Sequence, residues 1–207
     1  MAPPVPRLMR WQAGWALRRE LGRQTTAAVL RSADRSYVPP PPLARTSAGR
    51  FNLEMGAYLL AMRDSLAAVG YEGSAANALL AQSLYRVMRR FYGPMDALAV
   101  AVHPLSRPAR ARWRQRLSRR VFFRPPDWKM DEVPHSRAYA FDVRRCVMAE
   151  FMSSRGEQQF CLDVVCKQDL LMAQSRGELL ERNRMIAGGD DRCEFRFTLP
   201  SDRAGMA

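Results

Sequence analysis

The stretch Ala138-Tyr139-Ala140-Phe141-Asp142-Val143 alternates large apolar residues with small or polar ones. A period of two belongs to a strand, whose successive side chains point to opposite faces. A second run, Arg192-Cys193-Glu194-Phe195-Arg196-Phe197-Thr198-Leu199, places Cys193, Phe195, Phe197 and Leu199 on one face. Ahead of it, Glu178 to Ala187 reads as another strand. Gly188-Gly189-Asp190-Asp191 joins the two, and Gly and Asp tolerate the positive φ of a tight hairpin. These segments predict a small antiparallel sheet in the C-terminal part of the chain.

Outward from the sheet the period becomes helical. Val147 to Ser154 and Gln158 to Ser175 read as helices between strands. Upstream, Asn52 is placed to cap a helix running to Val69, with Met55, Tyr58, Leu59, Met62 and Leu66 on one face and Gly70 as its stop. Ser74 opens a second helix ending at Gly93-Pro94. A short helix follows over Met95 to Val102, and Pro108 introduces a basic helix over Ala109 to Phe123. Pro125-Pro126-Asp127-Trp128 breaks the pattern. The expected fold is α+β: a helical N-terminal half packed on a small antiparallel β-sheet with additional helices. The expected domain is residues 51–200. Residues 1–50 form a basic, Pro-rich arm and linker, with an amphipathic helix over Arg7 to Arg31 and a stiff segment at Pro39 to Pro42. That helix either packs on the body or serves a partner. Residues 201–207 are a tail.

The 207 residues are 47% hydrophobic, enough for a core of ordinary size. No run of 18 apolar residues occurs, and Met1 to Leu21 lacks the apolar stretch and cleavage site of a signal peptide. The expected location is the cytoplasm. Residues 1–129 carry a net charge of +15 and residues 130–207 carry −2. A basic stretch suits nucleic acid or an acidic surface. Here nearly all the positive residues are arginine, as a GC-rich genome also produces, so nucleic acid is disfavoured. The four cysteines, Cys146, Cys161, Cys166 and Cys193, sit in apolar sequence and read as free thiols. A homo-oligomer is left open.

Cys166 and Asp169 are three apart in a predicted helix and share a face with Leu162 and Val165. A carboxylate on an apolar stripe is costly to bury unless it is paired or used, and desolvation raises its pKa toward that of an acid–base residue. The plain alternative puts Asp169 at the stripe's margin, bonded to backbone or to an arginine. Cys146 falls where a strand meets a helix, where the helix dipole favours a thiolate. An ordinary buried cysteine is the commoner outcome. Arg182 and Arg184 share a strand face, aimed either at a carboxylate, Asp169 included, or at solvent. The cysteine spacing lacks the close pair of a zinc module, so metal is not expected. No phosphate loop, G-x-S-x-G elbow or H-E-x-x-H motif occurs.

In order and spacing, several segments resemble the L-2-amino-thiazoline-4-carboxylic acid hydrolase family. They are Phe141-Asp142-Val143-Arg144-Arg145-Cys146 with Ala149-Glu150, Cys161, Cys166-Lys167-Gln168-Asp169, Leu180-Glu181-Arg182, and Arg192-Cys193-Glu194-Phe195-Arg196-Phe197. The helices from Asn52 to Tyr92 and Arg124-Pro125-Pro126-Asp127-Trp128 are similar too. The chain departs from the family pattern at Arg144, Val165, Asn183 and Met185. The resemblance implies a hydrolase that opens a cyclic amidine by adding water to its C=N carbon, with no cofactor and a small-molecule substrate. It implies Cys166, Asp169 and Cys146 as catalytic candidates, and Arg182, Glu181 and Cys193 as substrate-binding ones. Asp169 would serve as general base, or Cys166 as nucleophile. Arg182 would hold the substrate carboxylate. Two other functions stay in view: a ligand-binding or sensor module on the same scaffold, and an interaction protein using its basic arm.

Overall fold

The computed structural model describes residues 7–134 and 138–199. Four helices come first: α1 (Arg7–Ser36), α2 (Ser47–Ala67), α3 (Gly73–Val102) and α4 (Arg107–Val121). Then follow β1 (Trp128–Val133), β2 (Ala138–Cys146), α5 (Val147–Ser154), α6 (Gln158–Phe160), a π-helical segment (Cys161–Cys166) and α7 (Lys167–Ser175). The chain closes with β3 (Leu179–Glu181), a 3-10 turn (Ile186–Gly188) and β4 (Cys193–Thr198). The sheet is antiparallel throughout, in the order β1-β2-β4-β3. This is the expected α+β architecture. The expected tail from Ser201 lies outside the described residues. Among the described residues no helix is long and apolar enough to cross a membrane.

The alternation in β2 and β4 has the effect the sequence implies. Tyr139 faces Phe197 and Phe141 faces Phe195 across the two strands. Each pair stacks, with ring centroids 4.3 and 4.7 Å apart. The apolar face turns to the helices, and the opposite face carries Asp142 between Arg196, Arg192 and Arg144. Leu17, Val29 and Ala33 of α1 are buried in the same core as Leu53 and Leu66 of α2. Gly22 interrupts α1 with a φ of 72°, open to glycine alone among common residues.

Several local expectations are corrected. α3 runs through Gly93-Pro94 to Val102 as one helix instead of stopping. Proline keeps a helical φ and forfeits one hydrogen bond, a loss that the buried Tyr92 and Ala99 on either side outweigh. The N-cap of α2 is Thr46, whose hydroxyl accepts from Gly49 N, while Asn52 lies inside the helix and donates to Ala48 O. The helix expected over Gln158 to Ser175 contains the π-helical segment. The strand expected over Glu178 to Ala187 shrinks to three residues. There Glu194 N pairs with Arg184 O, and Asp190 accepts from Met185 N, which curls the chain away from a hairpin. β1 is a strand that the alternation does not reveal, because Asp131 and Glu132 are both exposed on the sheet edge.

One residue joins the helical half to the sheet. Asp127 is fully buried. Its carboxylate accepts from Arg45 N and Thr46 N, both at 2.8 Å, and from the Thr46 hydroxyl. Its own carbonyl accepts from Val147 N at the start of α5. A methyl built on Gly49 would lie 2.1 Å from Asp127 Oδ2, so glycine is what admits the carboxylate. Burial alone would raise this carboxyl, but the donors from Arg45 and Thr46 and the charge of Arg145 hold it below its ordinary value of 3.8.

Asp127→Ala is expected to cost about 3 kcal/mol in urea unfolding, because two enclosed N–H groups lose their acceptor. Gly49→Ala should cost a comparable amount, and the double variant less than the sum of the two. Since the folded-state pKa is depressed, the contribution of Asp127 is complete above pH 3.8 and vanishes as pH falls through the folded value. The gap in stability between wild type and Asp127→Ala should close over that interval.

Candidate active site

A cavity of about 210 Å³ lies between the apolar sheet face and the helical layer. It is smaller than the roughly 300–1,000 Å³ of drug-sized pockets, so it suits a compact metabolite. Phe141, Phe195 and Phe197 form one wall, and Met55 of α2 and Met88 of α3 contribute to the other. Against this apolar lining stand Cys146, Cys166, Cys193, Asp169 and Arg182. Five of the six residues singled out from the sequence therefore share one cavity. Glu181 does not, since it sits exposed on β3, outside the lining.

Arg182 enters because β3 ends at Glu181 and the chain then leaves the sheet. Its side chain is 6% exposed. Nη1 donates to Asp169 Oδ2 at 2.8 Å and Nη2 donates to Cys166 O at 3.0 Å. The guanidinium also stands 5.4 Å from the centre of the Phe195 ring. Nε is enclosed and has no partner among the described residues. Of the two arginines noted in the sequence, Arg182 thus takes Asp169, and Arg184 faces solvent beside Asp191.

About 42% of the Asp169 side-chain surface is open, and it opens onto the cavity. The lining around it is mostly apolar. Burial therefore pushes the carboxyl above its ordinary value, and Arg182 opposes the rise through its charge and its hydrogen bond. The result is a carboxylate with raised basicity, held in one orientation.

The thiols behave otherwise. Cys146 is the N-cap residue of α5 without a side-chain cap hydrogen bond, and the backbone N–H groups of Ala149 and Met148 act to lower its pKa. Burial outweighs them and pushes the thiol up to about 12. Cys193 is pushed up to about 11, chiefly by burial. Cys166 lies in the π-helical segment with its Sγ 3.8 Å from that of Cys161. The hydrogen bond with Cys161 and then burial raise it strongly. At neutral pH these three groups are neutral thiols. Among the described residues, no three His, Cys, Asp or Glu side chains converge as metal ligands.

Other polar lining residues were not singled out from the sequence. Gln168 is buried and donates to Ala81 O and Val164 O. Tyr139 donates to the buried Glu178, which also binds Arg114. Arg176 is the C-cap of α7, ahead of Gly177 with a φ of 66°. Gly177 N pairs with Gln174 O and Glu178 N with Ala173 O, a Schellman ending that fixes both Arg176 and Glu178. Arg176 stands seven residues after Asp169. That helical interval would have found it, had the predicted helix not stopped at Ser175.

The fold and this cavity define an α+β domain built around an internal, mostly apolar chamber with one carboxylate–guanidinium pair inside. The family model for L-2-amino-thiazoline-4-carboxylic acid hydrolase matches residues 55–197, from within α2 through most of β4. The chain belongs to that family. No curated protein and no solved structure matches it.

The thiols offer a direct check. Alkylation of Cys193 at pH 8 should run about a hundredfold slower than that of a free cysteine, because its pKa stands about two units higher. Cys146 should be slower still. In denaturant all four cysteines should label at the ordinary rate, as peptide mapping would show.

Proposed function

We propose that the protein hydrolyses a small cyclic amidine of the thiazoline type, with Asp169 as the general base. The observation that carries this reading is the Asp169–Arg182 pair inside a cavity whose thiols are neutral. A base must have a free lone pair, a pKa shifted toward the working range and a fixed aim, and Asp169 has all three. Cys166 and Cys146 would have to lose a proton before attacking, and their surroundings oppose it. Their place in the proposal is as neutral walls of the site, together with Cys193.

In the proposed reaction a water beside Asp169 gives its proton to the carboxylate as its oxygen bonds to the amidine carbon. The C=N bond becomes a single bond in a tetrahedral intermediate. Asp169 passes that proton to the ring nitrogen, then takes the proton of the new hydroxyl as the C=O forms and delivers it to the ring nitrogen or sulfur as that atom's bond to the carbon breaks, so the ring opens to a carbamoyl product. One water is consumed and no other group is released. Arg182 keeps the carboxylate aimed and offsets part of its desolvation.

Mass spectrometry of the protein incubated with L-2-amino-thiazoline-4-carboxylic acid and related cyclic amidines should show a product heavier by one water. Asp169→Asn should reduce turnover by about a hundredfold or more while leaving the fold intact. Near-normal turnover in that variant removes Asp169 from the role. Saturable binding with no product would favour a ligand-binding module instead.

A base works only when deprotonated, so activity should fall as pH drops through the raised pKa of Asp169. The acid limb of kcat/KM should lie above the ordinary 3.8. Arg182→Met removes a charge that lowers this pKa, and should move the limb to higher pH.

A further inference from the structure

We infer that Arg176, and not Arg182, holds the carboxylate of the substrate, and that it makes the cavity selective for anionic ring compounds. The inference rests on the reading of Asp169 as the base. Arg182 is already engaged, with Nη1 donating to Asp169, Nη2 donating to Cys166 O and Nε walled in, so only the second N–H of each Nη is left. Taking a substrate carboxylate there would strip the base of its orienting partner.

Arg176 is differently placed. It lines the same cavity. Its hydrogen bond among the described residues uses Nε, donated to Asp96, which leaves the two-pronged Nη end of the guanidinium for a ligand. Its face lies 5.8 Å from the Tyr92 ring centre, which restrains the side chain. Asp169 and Arg176 are seven residues apart, two turns or about 10.5 Å along the axis, and so project from one stripe. Both act electrostatically on the Tyr92 hydroxyl, so the two charges flank one side chain of the opposite wall. A small ring fits between them, with its acid group on Arg176 and its amidine carbon at Asp169.

A second cleft, of about 280 Å³, shares Arg176 with the cavity. Arg107, Arg110 and Arg114 line it with Arg176, opposed by Asp96 and Glu178. Four guanidinium groups against two carboxylates leave it cationic. α4 adds no acid in its first turn. Arg176 therefore stands in the partition between a cleft that attracts anions and the chamber that holds the base.

The test separates this assignment from the hydrolytic reading, because it measures binding of a compound that cannot react. Thiazolidine-4-carboxylate has no C=N bond to hydrate, and its carboxamide keeps the ring but lacks the negative charge. Calorimetry should show wild type binding the acid at least tenfold tighter than the amide. Arg176→Gln should bind the two equally, Arg176→Lys should keep part of the preference, and Arg182→Met should still bind the acid more tightly than the amide. Equal binding of both compounds by wild type, or no binding of either, overturns the assignment. So does a preference that survives Arg176→Gln or disappears in Arg182→Met. If Arg176→Gln does not fold, the wild-type preference and the Arg176→Lys and Arg182→Met measurements still decide the matter. Should the cyclic amidines go unhydrolysed while the acid preference follows Arg176, the reaction is wrong and the carboxylate subsite stands.

Discussion

The Asp127 carboxylate is the joint on which the cavity depends. It takes the last free donors ahead of α2 while its own backbone starts β1 and steadies the start of α5. A buried charge of this kind is tolerable only when its acceptor sites are filled. Here they are filled by two backbone N–H groups and the Thr46 hydroxyl at the start of α2, so the carboxylate helps fix the position of α2 relative to the sheet. α2 then supplies Asn52 and Met55 to the chamber, and the sheet supplies the stacked aromatic wall. Arg119 of α4, donating to Met130 O of β1, ties the helical layer to the sheet a second time.

The interior is organised by how few polar groups it admits. One ion pair, Asp169 with Arg182, projects into a mostly apolar space. A second network runs from Tyr139 through Glu178 and Arg114 to Asp96 and Arg176 along its border. Low polarizability around these groups strengthens each contact and makes each unpaired donor costly. The same surroundings that raise the basicity of Asp169 suppress ionisation of the thiols. A carboxylate and a thiol respond alike to burial, since both lose solvation on becoming charged. For the carboxylate the shift moves a strong acid toward neutrality. For the thiol it moves an already weak acid out of reach.

Much of this was legible in the sequence where a period repeats. The alternation in Tyr139–Val143 and Cys193–Phe197 marked both central strands and their apolar face. The spacing of Cys166 and Asp169 marked the helix face that meets the cavity, and Arg182 was among the partners open to Asp169. The period was silent elsewhere for identifiable reasons. β1 is an edge strand with Asp131 and Glu132 in solvent, so no apolar alternation is imposed on it. Gly93-Pro94 carries a strong stop signal that the packing of Tyr92 and Ala99 overrides. Arg176 was hidden by abundance: in a chain with 33 lysines and arginines, no single guanidinium announces itself without a structural neighbour.

The π-helical segment has a consequence for how such chains diverge. A π turn holds one residue more than the α turn it replaces, while the helix on either side keeps its facing. Cys161 and Cys166 come together because they are five apart within that wider turn. Loss of one residue between them would let the segment close into ordinary α-helix. Phe160 would still face the core and Asp169 the chamber, and the two cysteines, now four apart, would remain neighbours on one helix face. A single-residue length difference at this point therefore changes the width of the turn and leaves both the thiol pair and the carboxylate on the faces they now occupy.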